Sequence, residues 1–242
     1  MTNDKNAHVR IRYFVGMLAL VACLFFALCG PAGRGASPQA GYGLFEGQTD
    51  VGITPKPGSL LADPAEDAYT VTGGGANMWG TTDAFHFVWR RWKGDVTLTA
   101  YVKILTATGN PHRKAGLMIR QGLGPSDAFA DALLHGSGLT ALQYREAAGA
   151  TTLEVQSPIS SPAILRLERR GDTFTLFVAG SNGRFERVGS AVVNLKDPVY
   201  IGLAVCSHDT SALATARFSN VEISQNGVDV NPPFGGTPRL PR

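Results

Sequence analysis

Residues 164–178 alternate apolar and polar side chains in two runs, 164–170 and 173–178, joined at a Gly171-Asp172 turn. Leu165 and Leu167 oppose Arg166 and Glu168, which sets a buried face against a solvated one and calls for an antiparallel sheet. The pattern recurs. Short alternating or apolar runs at 42–46, 68–72, 84–90, 95–105, 114–120, 139–145, 151–156, 163–169, 173–179, 184–189, 199–207 and 214–223 are broken by Gly, Pro, Asn, Asp and Ser. Strands this short, with turn signals between them and no sustained helical period, predict an all-β, two-sheet antiparallel jelly-roll sandwich. Residues 126–134 read equally as a short helix capped by Ser126 or as a bulged strand. No internal repeat points to a propeller or solenoid.

The sandwich occupies 41–224, between two segments of different composition. In 1–40, Lys5, Arg10 and Arg12 precede an uncharged apolar run over 13–29, and small residues follow. A basic start, an apolar centre and a small-residue exit make a signal peptide, or an N-terminal membrane anchor if uncleaved. Leu20-Val21-Ala22-Cys23 also resembles a lipobox, although the apolar residues 24–28 would then begin the mature chain. The expected location is therefore periplasmic, extracellular or membrane-anchored, with the C-terminal domain outside the cytoplasm. The tail, 225–242, is rich in Pro and Gly and is expected to be flexible.

Export changes the meaning of the charge. Removing Lys5, Arg10, Arg12 and Arg34 from 22 basic residues, and Asp4 from 19 acidic ones, leaves 18 of each. A neutral domain gives nucleic acid no basic face to bind. Contact with membrane is expected only through the N-terminal segment. Cys206 is the one cysteine of the body, so no disulfide forms within it and a core alone must hold the fold.

Strand parity sorts side chains into faces. It places Phe85, Phe87 and Trp89 inward with His86 and Arg90 outward, Ala115, Leu117 and Ile119 inward with Arg120 outward, and Leu142 and Tyr144 against Gln143 and Arg145. In the last long run, Val199, Ile201, Leu203 and Val205 oppose Tyr200, Gly202, Ala204, Cys206 and His208. The second face thus collects His86, Arg120, Gln143, Arg145, Arg166, Glu168, Tyr200 and His208, with small Gly202 and Ala204 leaving room between them. Were these strands adjacent, the polar groups would line a shallow trough. The competing reading is an ordinary solvated sheet face with cross-strand ion pairs.

Several short segments resemble one family. Gly73-Gly74-Gly75-Ala76-Asn77-Met78-Trp79, Lys114-Ala115-Gly116-Leu117-Met118-Ile119-Arg120, Ile201-Gly202-Leu203-Ala204-Val205-Cys206-Ser207-His208 and Ala216-Arg217-Phe218-Ser219-Asn220-Val221 occur in this order. The chain resembles the concanavalin A-like lectin/glucanase superfamily, in particular its exported bacterial modules of largely unknown function, found alone or beside glycoside hydrolases. The resemblance spans 45–223 and implies a jelly roll whose concave face binds sugars. Where related modules carry Ser-x-Asp-Gly and then Trp, this chain has Ser181-Asn182-Gly183-Arg184-Phe185, which weakens any binding role at that loop.

Catalytic patterns are sparse. Glucanases of that superfamily place two carboxylates on one strand as Glu-x-Asp-x-x-Glu, and this spacing does not occur. Arg166-x-Glu168-x-Arg170 resembles one strand of jelly-roll alginate lyases, but the accompanying Gln-x-His strand and C-terminal Tyr are missing. Trp79, after the glycines, is the tryptophan best placed to stack on a sugar, while Trp92 stands beside Arg90 and Lys93 for a cation–π contact. No cofactor or metal is expected beyond a structural Ca²⁺ near Asp50 and Asp83. The sequence therefore predicts a non-catalytic, carbohydrate-binding module that uses His86, Arg120, Gln143, Arg145, Arg166, Glu168, His208 and Trp79. A cell-envelope structural or protein-interaction module with an envelope protein partner is the alternative, and a polysaccharide lyase the third.

Overall fold

A computed structural model of the chain describes residues 41–180 and 182–229. The export segment with Cys23 and Cys29, and the tail beyond residue 229, lie outside the described residues. Two eight-stranded antiparallel sheets carry the fold. The first contains, in spatial order, β1 (Gly47–Val51), β5 (Thr82–Trp92), β14 (Val199–Cys206), β7 (Lys114–Arg120), β8 (Phe129–His135), β9 (Thr140–Arg145) and β10 (Leu153–Gln156), with β4 (Asn77–Trp79) paired to the start of β5. The second contains β13 (Phe185–Val192), β12 (Thr173–Ala179), β11 (Ile164–Arg170), β6 (Val96–Ile104), β15 (Asp209–Gln225), β3 (Ala68–Gly75) and β2 (Ser59–Asp63), with β16 (Val228–Asp229) on β15. The described residues hold no helix.

The inner parity of most strands builds the inter-sheet core. Leu117, Leu142, Leu203 and Val205 of the first sheet meet Leu98, Leu165, Leu176 and Phe218 of the second. Each such side chain contributes about 1.5–3 kcal/mol on burial. The predicted bounds of β7 and β12 coincide with the observed ones, and the ambiguous 126–134 stretch is the strand β8 after a turn. The run expected at 42–46 instead turns into β1. β15 is longer than the expected 214–223, because Asp209 already pairs with Gly75 of β3 and Ser224 and Gln225 pair with β16; Asn220, at φ 49°, lies where its register with β6 shifts. Part of the expected tail is also structured, since Gln225 pairs with Val228 across a turn.

One strand is inverted relative to expectation. Val88 of β5 faces the inter-sheet core, whereas Phe85 and Phe87 join a second cluster on the other side of the first sheet with Met78, Met118, Phe129 and Leu133. His86 therefore turns toward the sandwich interior, where Nδ1 meets Asp50 at 2.8 Å and Nε2 meets Gln48 at 3.0 Å. Parity failed here because both parities of β5 carry large apolar side chains, Val88 on one and Phe85 with Phe87 on the other, so alternation does not distinguish the two buried faces.

The small residues of β14 also have another purpose than leaving room. A Cβ on Gly202 would stand 1.8 Å from the carbonyl oxygen of Val88, and one on Gly116 2.0 Å from that of Ala132. The close approach of neighbouring backbones takes up the space at both glycines.

Candidate functional site

The outer face of the first sheet is organised in cross-strand rows. Tyr200, Arg120, Phe129 and Arg145 form one row, Gly202, Met118, Asp131, Gln143 and Glu154 the next but one along, and Cys206, Lys114 and His135 close the far end. The expected grouping of Arg120, Gln143 and Arg145 on one face is present. Instead of lining an open trough, these side chains are buried, Arg120 and Arg145 completely.

Their cover is the β4–β5 hairpin. Gly75 (φ 106°) and Gly80 (φ 66°) adopt the left-handed backbone that lets 76–84 turn back over the sheet. Met78 enters the second apolar cluster, and the Asp83 carboxylate accepts two hydrogen bonds from Arg145, at 2.8 and 2.7 Å. Arg145 also donates to the carbonyls of Gly80, Pro125, Asp127 and Ala150, so one guanidinium ties the hairpin to two loops. Arg120 stands 3.5 Å from Asp83, donates to Gly124 O, and lies over the Phe85 ring. Lys114 Nζ donates to Asn77 Oδ1, Met78 O and Gln143 Oε1 at 3.0–3.1 Å. The polar face has become the inner lining of its own lid.

Burial dominates the electrostatics beneath that lid. It raises Asp83 from the ordinary carboxylate value against the pull of the Arg145 hydrogen bonds, and lowers Arg120. Asp131 is pushed well up and Lys114 down, so desolvation drives this neighbouring pair toward its neutral forms. Asp131 Oδ1 accepts from Gln143 N, while Oδ2 has no hydrogen-bond partner.

The remaining predicted residues are dispersed. Arg166 and Glu168 lie on the outer face of the second sheet, where Arg166 stacks 3.7 Å over Phe185 and bonds to Thr99, and Glu168 is 3.6 Å from Arg170. Parity gives a face but not which sheet a strand joins, and the two residues do not meet Arg120 or Arg145. His86 is interior, as described. His208 sits at the rim beyond Cys206, near His112. Trp79 is 37% exposed on the lid, with the Lys114 ammonium 5.6 Å from its ring centroid. Asp50 and Asp83, the carboxylates considered for Ca²⁺, are engaged by Gly58 N with His86 and by Arg145 respectively.

One opening was not foreseen from the sequence. Beside the Tyr200 end of the face, Glu46, Arg91, Trp92, Lys93 and Pro198 border a hollow of about 240 Å³. Arg91 is the cross-strand partner of Tyr200, whose ring meets Trp89 edge-on at 5.2 Å. Glu46 Oε2 accepts long bonds from Arg91 N and Nε, at 3.3 and 3.4 Å. Arg90 lies 5.4 Å over the Trp92 ring, the cation–π contact that their spacing suggested. The Arg90-Arg91-Trp92-Lys93 run was the available signal for this opening.

Solved structures provide the wider context. No family model and no curated protein matches the chain. A functionally unknown protein from Saccharomyces cerevisiae is similar over 73% of this chain and 95% of its own, with 16% identity and a TM-score of 0.56. The carbohydrate binding module CBM66 from Bacillus subtilis is 21% identical over 75% of this chain and 97% of its own, at a TM-score of 0.48. A β-1,3-1,4-glucanase (lichenase) from a mouse hindgut metagenome is 15% identical over 63% and 77%, at 0.43. At such identities the likeness is one of fold. Taken with the two sheets, it defines the class of protein by its fold alone: an all-β, two-sheet antiparallel jelly-roll sandwich.

Proposed function

We propose that this protein is an exported glycan-recognition module that binds without transforming its ligand, and that the seat is the hollow at Glu46, Arg91 and Trp92. The observation that carries the reading is the loose Glu46–Arg91 pair at the end of the otherwise sealed face. Both side chains are substantially exposed, 40% and 65%, and their bonds are long enough for a sugar hydroxyl to replace them. The adjacent indole and tyrosine rings offer apolar surface for a sugar face. Absence of turnover is supported by the buried carboxylates Asp83, carried by the lid itself, and Asp131 beneath it, which both engage protein donors. A glycan array followed by calorimetry on the best ligand tests the proposal. Arg91→Ala and Glu46→Gln are expected to weaken binding about tenfold or more, while Arg166→Ala on the second sheet leaves it unchanged. Binding that survives both rim substitutions, or new ultraviolet absorbance from unsaturated products, would refute it.

A further inference from the structure

The hollow beside Tyr200 is bordered by two bases, Arg91 and Lys93, and one acid, Glu46. Arg90 adds a third positive charge. Its guanidinium donates to the Leu44 carbonyl and lies over the Trp92 ring, so no carboxylate neutralises it there. The acids of the surrounding turns are engaged elsewhere. Asp197 accepts from Arg169 Nη1 at 2.7 Å and from Gly94 N at 2.8 Å, and Asp95 Oδ1 accepts from Gly171 N at 2.8 Å. With Asp197 balanced by Arg169, the bases of 90–93 stand against Glu46 and Asp95, and the rim carries a positive excess.

The unused donors and acceptors are as informative as the charge. Arg91 reaches Glu46 through its backbone N and its Nε, both on Oε2. Among the described residues, the two terminal nitrogens of Arg91 and the Lys93 ammonium have no hydrogen-bond partner, and neither has Glu46 Oε1. A guanidinium edge with both terminal nitrogens free matches the two oxygens of a carboxylate, whereas a hydroxyl uses one of them.

We propose, on the reading of this hollow as a glycan seat, that its ligand is an acidic glycan held through a hexuronic acid residue. The sugar carboxylate takes the terminal nitrogens of Arg91, with Lys93 as the second positive charge. Glu46 Oε1 accepts from a ring hydroxyl, a partner that a simple carboxylic acid lacks. Glu46 itself repels an incoming carboxylate, so the preference for acid comes from the bases that outnumber it and from the free Arg91 fork. At about 240 Å³ the hollow is smaller than the about 300–1,000 Å³ of drug-sized ligand sites, which suits one sugar residue of a chain.

The test is calorimetry on the full chain with oligosaccharides of galacturonic, glucuronic and mannuronic acid, each beside its methyl ester. At least one acid is expected to bind about tenfold or more tighter than its ester, and to lose most of that advantage between about 0.01 M and 1 M salt. Arg91→Lys, which keeps the charge without the fork, and Lys93→Gln are each expected to lower the ratio of acid to ester affinity about threefold or more. Arg166→Ala, on the other sheet, leaves the ratio unchanged. Esters that bind as tightly as their acids, or neutral glycans that bind where no uronate does, would overturn the uronate assignment and leave the glycan seat standing, provided Arg91→Ala still weakens them. Uronate binding that is indifferent to both Arg91→Lys and Lys93→Gln would also overturn it. Absence of binding to acids, esters and neutral glycans alike would overturn the seat and the assignment together.

Discussion

Arg145→Met removes a fully buried guanidinium while keeping most of its volume. Asp83 would lose two charge-assisted bonds of 2.8 and 2.7 Å and face only Arg120, at 3.5 Å. The carbonyls of Gly80, Pro125, Asp127 and Ala150 would lose a donor at the same time. Breaking a buried pair by removing one partner costs about 3–5 kcal/mol. Each dry carbonyl would add about 1–3 kcal/mol, but loops at the surface relax and admit water, so the lower range is the one expected. Against a total of about 5–15 kcal/mol for a domain, this is a third or more of a middling stability. With a urea slope of about 2 kcal/mol per molar, the midpoint should fall by roughly 2 M. Hydrogen exchange should rise first in 78–83 and in the loops around 125 and 150. A loss below about 1 kcal/mol for Arg145→Met, with unchanged exchange in the hairpin, would refute the view that this residue locks the lid.

Gly202→Ala should destabilise the fold by about 1–3 kcal/mol, because the new Cβ meets the backbone carbonyl of Val88 and the strands must part; an unchanged urea midpoint would mean that the glycine leaves open space instead. His86 gives a pH dependence. Burial lowers it from the ordinary 6.5, with Asp50 opposing, so the unfolded chain takes up the proton first as pH falls. Stability attributable to His86 is therefore whole above about pH 6.5 and declines below it. His86→Gln should make that decline shallower in urea titrations between pH 7 and 5, and an identical slope would disprove the assignment.

How far the sequence could be read depended on whether the two parities of a strand differed in polarity and size. In β7, β11 and β14 one parity is aliphatic and the other mainly polar or small, so the inner face followed from alternation even though β7 and β14 are buried on both sides. In β5 the two parities carry Phe85 and Phe87 on one side and Val88 on the other, and both are buried, so the larger aromatics drew the wrong conclusion. For the site, Arg120, Gln143 and Arg145 were grouped correctly because β7, β8 and β9 are successive neighbours. Arg166 was grouped wrongly because a face is a local property and sheet membership is not. The lid was illegible for a different reason. β4 is only three residues long, and its pairing depends on a backbone reversal that Gly75 and Gly80 permit but do not specify.

The lid also changes what a charged sheet face means in this fold. Guanidinium groups on an open trough are available to a ligand, whereas here Asp83, supplied by the chain itself, occupies the position that a ligand's carboxylate would take between Arg120 and Arg145. The attraction that an acidic sugar would feel for these arginines is already satisfied internally, with the geometric advantage that both partners are held on one backbone. Under the proposed function, recognition comes instead from the Glu46–Arg91 rim, which the lid leaves uncovered.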